Sequence, residues 1–169
     1  MTVDSNCTLK THVEKIRKQI RSRSWTLNAL KQSGFSEADL VKVYTAYVRP
    51  LAEYASAAWG SMITKEQSDS LEQQQSQALK NIYGLGISAR KMRDRAGLLT
   101  LEERRNNAMK KFALKNLNSH RFGHWFRERA TNRERRSGAN EKKYEEPLAR
   151  TERYWNSPLN AMRRFLNSN

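Results

Sequence analysis

Up to Asn118, apolar residues recur at the three- and four-residue spacing of amphipathic helices. Leu9, Val13, Ile16, Ile20, Leu27 and Leu30 fall at intervals of three, four or seven, and Gly34 stands where a left-handed residue ends a helix. A second segment opens at Ser36 with Asp39 three residues on, a short-armed capping box, and carries Leu40, Val43, Tyr44, Tyr47, Val48, Leu51, Tyr54, Ala55 and Trp59. Apolar over most of its circumference, it is expected to be the central, most buried helix. Pro50 removes a backbone donor inside it and predicts a kink or short break.

Thr64 with Gln67 predicts a full capping box for a third helix, in which Leu71, Gln75, Ala78, Leu79 and Ile82 line one face and Gly84 closes the end. A shorter helix is expected from Ser88 to about Ala96. A longer one is opened by Thr100 and Glu103 and carries Leu101, Ala108, Phe112, Ala113 and Leu117. Long helices joined by short turns predict an all-α fold, an antiparallel bundle, with Leu51, Leu79 and Phe112 at its centre. Beyond Asn118 the pattern decays into Arg, Asn, Ser and Glu with isolated aromatics, so residues 1–118 are expected to be a helical domain and residues 119–169 a weakly ordered basic tail.

Charge sharpens this picture. The 169 residues hold 32 Lys and Arg against 17 Asp and Glu, a formal charge of +15 and a pI near 10.3. A polyanion is the default partner of such a chain. No apolar run approaches the length of a membrane span, so no membrane partner is expected. Cys7 is the single cysteine and can form neither an internal disulfide nor a zinc knuckle, so no cofactor or metal is expected.

Candidate chemistry is confined to cations and aromatics. Lys10, Arg17, Lys18 and Arg21 flank the polar face of the first helix, and Trp25 falls nearly opposite its apolar stripe. An exposed Trp among cations suits stacking on a base or sugar, whereas a Trp packed on the chain's own tail or on another domain is the bland reading. Arg121, Arg127, Arg129, Arg133, Arg135 and Arg136 form a second candidate binding cluster. His12 and Glu14, with His120 or His124, superficially suggest an iron triad, but residues two apart on a helix do not face each other. Glu53 and an inward Tyr54 fit a core tether better than a catalytic pair. The run Glu72, Gln73, Gln74, Gln75, Ser76, Gln77 reads as a solvated helix face without chemistry.

Across Tyr44–Gly84 the order Val48-Arg49-Pro50, Glu53-Tyr54, Trp59, then Leu71-Glu72, Gln75, Ala78-Leu79-Lys80 and Ile82 is more specific than any single motif. It resembles the segment that follows the catalytic palm in reverse transcriptases of non-LTR retrotransposons, the LINE-like and jockey-like RNA-directed DNA polymerases. The closing run Arg153-Tyr154-Trp155-Asn156-Ser157-Pro158 also resembles theirs, and Val3-Asp4-Ser5 resembles the loop leaving their last palm strand. The resemblance implies a C-terminal piece of a larger reading frame: a thumb-like region that cradles RNA and template–primer duplex through phosphates, followed by a basic RNA-binding tail. It implies mainly structural roles for the signature residues, the missing palm as a further partner, no small-molecule substrate, and an intracellular place in the nucleus or a cytoplasmic ribonucleoprotein. Those polymerases use an Asp-Asp pair, and this chain has none, so no polymerase activity of its own is expected. Relatives' Cys/His zinc ligands in the tail are also lacking after Cys7. An independent helical DNA-binding or protein-interaction domain and an inactive transposon remnant are the alternative readings.

Overall fold

The computed structural model describes residues 8–128 and 143–168. The fold is all-α: among these residues there is no strand, only an isolated antiparallel bridge between Glu128 and Tyr144. No described helix is long and apolar enough to cross a membrane. Packing divides the chain into two units, one running to Ser56 and resuming over Ile63–Arg105, the other comprising Ala57–Met62 and the described residues from Asn106 onward.

In the first unit α1 (Lys10–Gln32) buries Val13, Ile16, Ile20 and Leu27, while Leu30 is only half-buried. Gly34, at φ 85°, follows it in the left-handed region that only glycine enters without strain. The Ser36 hydroxyl then accepts the Asp39 N–H at 3.2 Å and opens α2 (Glu37–Val43). From Tyr44 to Val48 the helix widens into a π turn, with the Arg49 N–H reaching the Tyr44 carbonyl at 2.9 Å. Pro50 then begins the short α3 (Pro50–Glu53), at the first-turn position where its missing N–H is not needed.

This segment is not apolar all round, as its composition suggested. Its buried residues are Leu40, Tyr44, Val48 and Ala52, a single stripe spaced by four, whereas Val43 and Leu51 are half-buried and Tyr47 is exposed. Spacing by four drifts about 40° per step on an α-helix of about 100° per residue, and the wider π turn takes part of that drift back. Tyr54 is also not the inward tether expected of it, because its side chain is 81% exposed. The chain leaves the helix there with ψ 122°, and Ala55 follows at φ 52°, turning the Tyr54 ring outward.

The capping box at Thr64 is complete: the Gln67 N–H donates to the Thr64 hydroxyl and the Thr64 N–H to the Gln67 side chain. It opens α4 (Lys65–Tyr83), which buries Leu71, Gln75, Ala78, Leu79 and Ile82 and packs along α1 in the most extensive helix pair of this unit. The Lys31 ammonium donates to the Ile82 carbonyl at 2.8 Å, and the Asn81 amide to the Ser24 carbonyl at 3.2 Å, tying the two helices by side-chain bonds as well as by apolar contact. Ser88 caps α5 (Ala89–Ala96) through the Lys91 N–H. Thr100 and Glu103 exchange the reciprocal bonds that open α6 (Leu101–Asn116), the helix through which the division between units passes.

The run Glu72–Gln77 is not uniformly a solvated face. Gln75 is 1% exposed and its amide donates to the Leu99 carbonyl at 3.2 Å. Glu72 is half-buried and accepts the Glu102 N–H at 2.8 Å, so the loop before α6 recruits two side chains that look like surface in the sequence.

The second unit has its own core of Ala113, Phe126, Tyr144 and Met162, with Met109, Phe112, Leu159 and Phe165 half-buried around it. α7 (Glu152–Trp155) and α8 (Pro158–Asn167) are the helices of its C-terminal stretch. Asn167 clasps residue 144 from both sides, accepting the Tyr144 N–H at 2.8 Å and donating to its carbonyl at 3.1 Å. The stretch expected from composition to be a weakly ordered tail thus supplies Tyr144, Ala161 and Met162 to a core. Trp59, of the same unit, is buried.

Candidate nucleic-acid interface

The sequence of α1 holds seven Lys or Arg against one Glu. At about 100° per residue, Lys10, Arg17, Lys18, Arg21, Trp25 and Asn28 fall within an arc of roughly 100°, displaced from the buried stripe of Val13, Ile16, Ile20 and Leu27. Glu14 is the single acid in that arc. Along the axis the strip runs from residue 10 to residue 28, about 27 Å of helix.

Several cations of the same unit outside this face are paired with carboxylates. Lys42 pairs with Asp39 at 2.9 Å, Lys65 with Asp69 at 3.0 Å, and Arg95 with Glu37 at 2.6 Å. Glu53 takes two guanidiniums, with Arg49 Nε at 3.1 Å from Oε1 and Arg104 engaging both carboxylate oxygens, one of them at 3.0 Å. Lys10, Lys15, Lys18 and Arg21 have no such carboxylate among the described residues. Arg23 donates to the Tyr47 carbonyl at 2.9 Å and lies over the Tyr47 ring, so it is occupied. Burial and nearby positive charge, including Lys15, lower the His12 pKa, so the positive field of the strip comes from Lys and Arg rather than from His12.

Trp25 is 71% exposed, and with Arg21, Ser24 and Asn28 it forms one wall of a groove of about 590 Å³. The other wall belongs to α4: Gln73, Gln74, Gln77 and Asn81. Among the described residues no carboxylate lines this groove. The amide stripe Gln73–Gln77–Asn81 was not singled out from the sequence. Its i, i+4, i+8 spacing was visible there, but that it faces α1 is a fact of packing.

The structure therefore brings Lys10, Arg17, Lys18, Arg21 and Trp25 onto one helix face. Arg121 and Arg127, the described members of the other cationic cluster, are exposed and belong to the second unit; Arg121 lies over the Phe122 ring. Arg129, Arg133, Arg135 and Arg136 lie outside the described residues, as do Val3, Asp4, Ser5 and Cys7. Of the signature residues, Val48, Trp59, Leu71, Gln75, Ala78 and Leu79 are buried, Arg49, Glu53 and Glu72 are half-buried in polar contacts, Pro50 starts α3, and Tyr54 is exposed. Their burial fits packing and helix geometry. Among the described residues no three His, Cys, Asp or Glu side chains gather into a group that could hold a metal ion.

Compared with models of protein families, with curated proteins and with solved structures, the chain finds no match.

Proposed function

We propose that this chain binds nucleic acid without sequence preference through the cationic face of α1, as a non-catalytic, thumb-like region of a non-LTR retrotransposon reverse transcriptase. The observation that carries the reading is a clustering: Lys10, Arg17, Lys18 and Arg21 share one face of α1, none of them ion-paired with a described carboxylate, beside an indole that is 71% exposed. A strip of unpaired cations about 17 Å long, from Lys10 to Arg21, suits a phosphate backbone, whose charges recur about every 1.7 Å along a duplex axis. Phosphate contacts position a protein on a duplex and carry no sequence information, which suits a thumb holding template and primer whatever their sequence. The antiparallel arrangement of the helices and the RNA-binding role of the Arg-rich C-terminal stretch belong to the same proposal, as does the missing palm as partner. The order of the signature residues from Val48 to Ile82 supports the family assignment.

Salt dependence tests it. For duplex DNA the log-log slope against salt falls by about 0.9 for each phosphate contact released. Replacing Arg17, Lys18 and Arg21 by Gln should therefore flatten the slope by up to about 2.7 and weaken RNA–DNA hybrid binding more than single-strand binding. Replacing Arg127, Arg129, Arg133, Arg135 and Arg136 by Gln should weaken RNA and duplex alike. A tail variant that binds as tightly as the parent at every salt concentration, or one DNA sequence preferred by roughly a thousandfold or more, would instead favour the independent DNA-binding domain.

A further inference from the structure

From the groove between α1 and α4 we infer a site for an unpaired nucleotide of a single strand, its base stacked on Trp25, its phosphate at Arg21 and its edge facing the amides of α4. The inference rests on the nucleic-acid reading above and adds to it a substrate class that phosphate contacts along α1 do not select.

Four observations converge on this ligand. Among the described residues the groove combines one cation, one indole and neutral amides, with no carboxylate to repel a phosphate. Amide side chains both donate and accept, matching the mixed edges of nucleobases. Trp25 leaves most of its ring in solvent, although an aromatic side chain offers 150–250 Å² to bury and α1 has a buried stripe available a few residues away. The groove wall is also organised in advance. Asn81 is held by the Ser24 carbonyl at 3.2 Å and accepts from the Gln77 amide at 3.4 Å, whereas Asn28 and Gln73 keep their side-chain donors and acceptors unused among the described residues. Finally, the Ser24 hydroxyl, on a residue 5% exposed that lines the groove, finds no hydrogen-bond partner among the described residues. An unpaired buried hydroxyl is costly, and this one lies on a residue of the groove's wall.

The volume of about 590 Å³ lies in the range of small-ligand sites. A base inside a duplex is already stacked on its neighbours and cannot offer its face to an indole without unpairing, so the site discriminates for single strands. A neutral sugar could use the indole and the amides, but it would have no use for Arg21 and would not be drawn by a chain of formal charge +15.

The test compares a short single-stranded oligouridine, an RNA–DNA duplex of equal length and a neutral linear oligosaccharide, each titrated against the full chain by anisotropy and by quenching of Trp fluorescence. Trp25→Ala should weaken oligouridine binding roughly 5- to 100-fold, the loss expected for one stacked base, and change duplex binding less than about twofold. Trp25→Phe should keep most of the single-strand affinity. The double variant Gln73→Ala/Gln77→Ala should weaken oligouridine several-fold with the duplex unaffected. Thermal melts check that these exposed positions leave folding intact. Equal losses on duplex and single strand, or no loss on either, would overturn the site while leaving electrostatic binding in place. Quenching by the oligosaccharide alone would reassign the groove to carbohydrate. Failure of the parent to bind any nucleic acid at low salt would overturn both this site and the proposed function.

Discussion

The ion-pair cluster at Glu53 permits a sharp stability test. Its carboxylate engages Arg49 and Arg104, and the three side chains are 18 to 31% exposed. Hydrogen bonding to Glu53 raises the Arg104 pKa, so the guanidinium is firmly charged and the carboxylate is its counterion. Glu53→Ala leaves two guanidiniums together without that partner. Removing one member of a fully buried pair costs about 3–5 kcal/mol and a solvated pair contributes about 0–1 kcal/mol. Partial exposure places this case between them, at about 2–3 kcal/mol. For a chain of 169 residues each kcal/mol shifts Tm by about 2–4 °C, so melting followed by circular dichroism should fall by about 5–10 °C. Glu53→Gln, which keeps an acceptor but not the charge, should fall less. A double-mutant cycle with Arg104→Met isolates the pair and should show coupling of about 1 kcal/mol or more. A Tm change under about 1 °C, or coupling under about 0.3 kcal/mol, would refute the argument and make the cluster an ordinary surface contact.

Other perturbations probe the core, the titrating groups and the chemistry. Leu79→Ala, at a fully buried position, should cost about 2–5 kcal/mol, whereas Leu51→Ala, only half-buried, should cost about 1–2 kcal/mol in the same melts. Equal effects would show that the burial pattern of α3 and α4 is wrong. Burial raises the Glu72 pKa, so its charged form is disfavoured in the folded chain. Its contribution is then fully present below the unfolded carboxylate pKa and is lost as pH rises through the folded value. Glu72→Gln should therefore gain in Tm relative to the parent as pH is raised from about 4 to 7; a gap that is constant with pH would count against it. Purified protein should incorporate no nucleotide in primer extension, because the chain lacks the Asp-Asp pair. Incorporation above a denatured control would end the non-catalytic reading.

What was legible in the sequence was local. Capping at Ser36, Thr64 and Thr100 is written in residues three apart, and the structure forms each of those bonds. The apolar stripe of α1 and the arc holding Trp25 follow from periodicity alone. What was missed depends on distant partners. Gln75 looks like one more surface amide until the Leu99 carbonyl, 24 residues away, meets it. Tyr144 gives no sign that Asn167 clasps its backbone. Tyr54 points outward because Ala55, a residue that does not advertise a left-handed conformation, adopts one. In the groove, cations and indole were readable on α1, but the opposing amides required knowing which face of α4 packs there.

The π turn at Tyr44–Val48 bears on which length changes this chain can accept. Its hydrogen bond from Arg49 to Tyr44 closes over one residue more than an α-helical bond does, so the segment is equivalent to a regular helix carrying a one-residue insertion. Deleting one residue of it would therefore allow an unbroken α-helix with Leu40 and Ala52 still on nearly the same face, because the smaller rotation per residue of the π turn already absorbs the extra residue. The buried residues on either side of the turn would keep their places in the core. A single-residue deletion should thus be tolerated better here than within α4, where each residue lost rotates the flanking ones by about 100°.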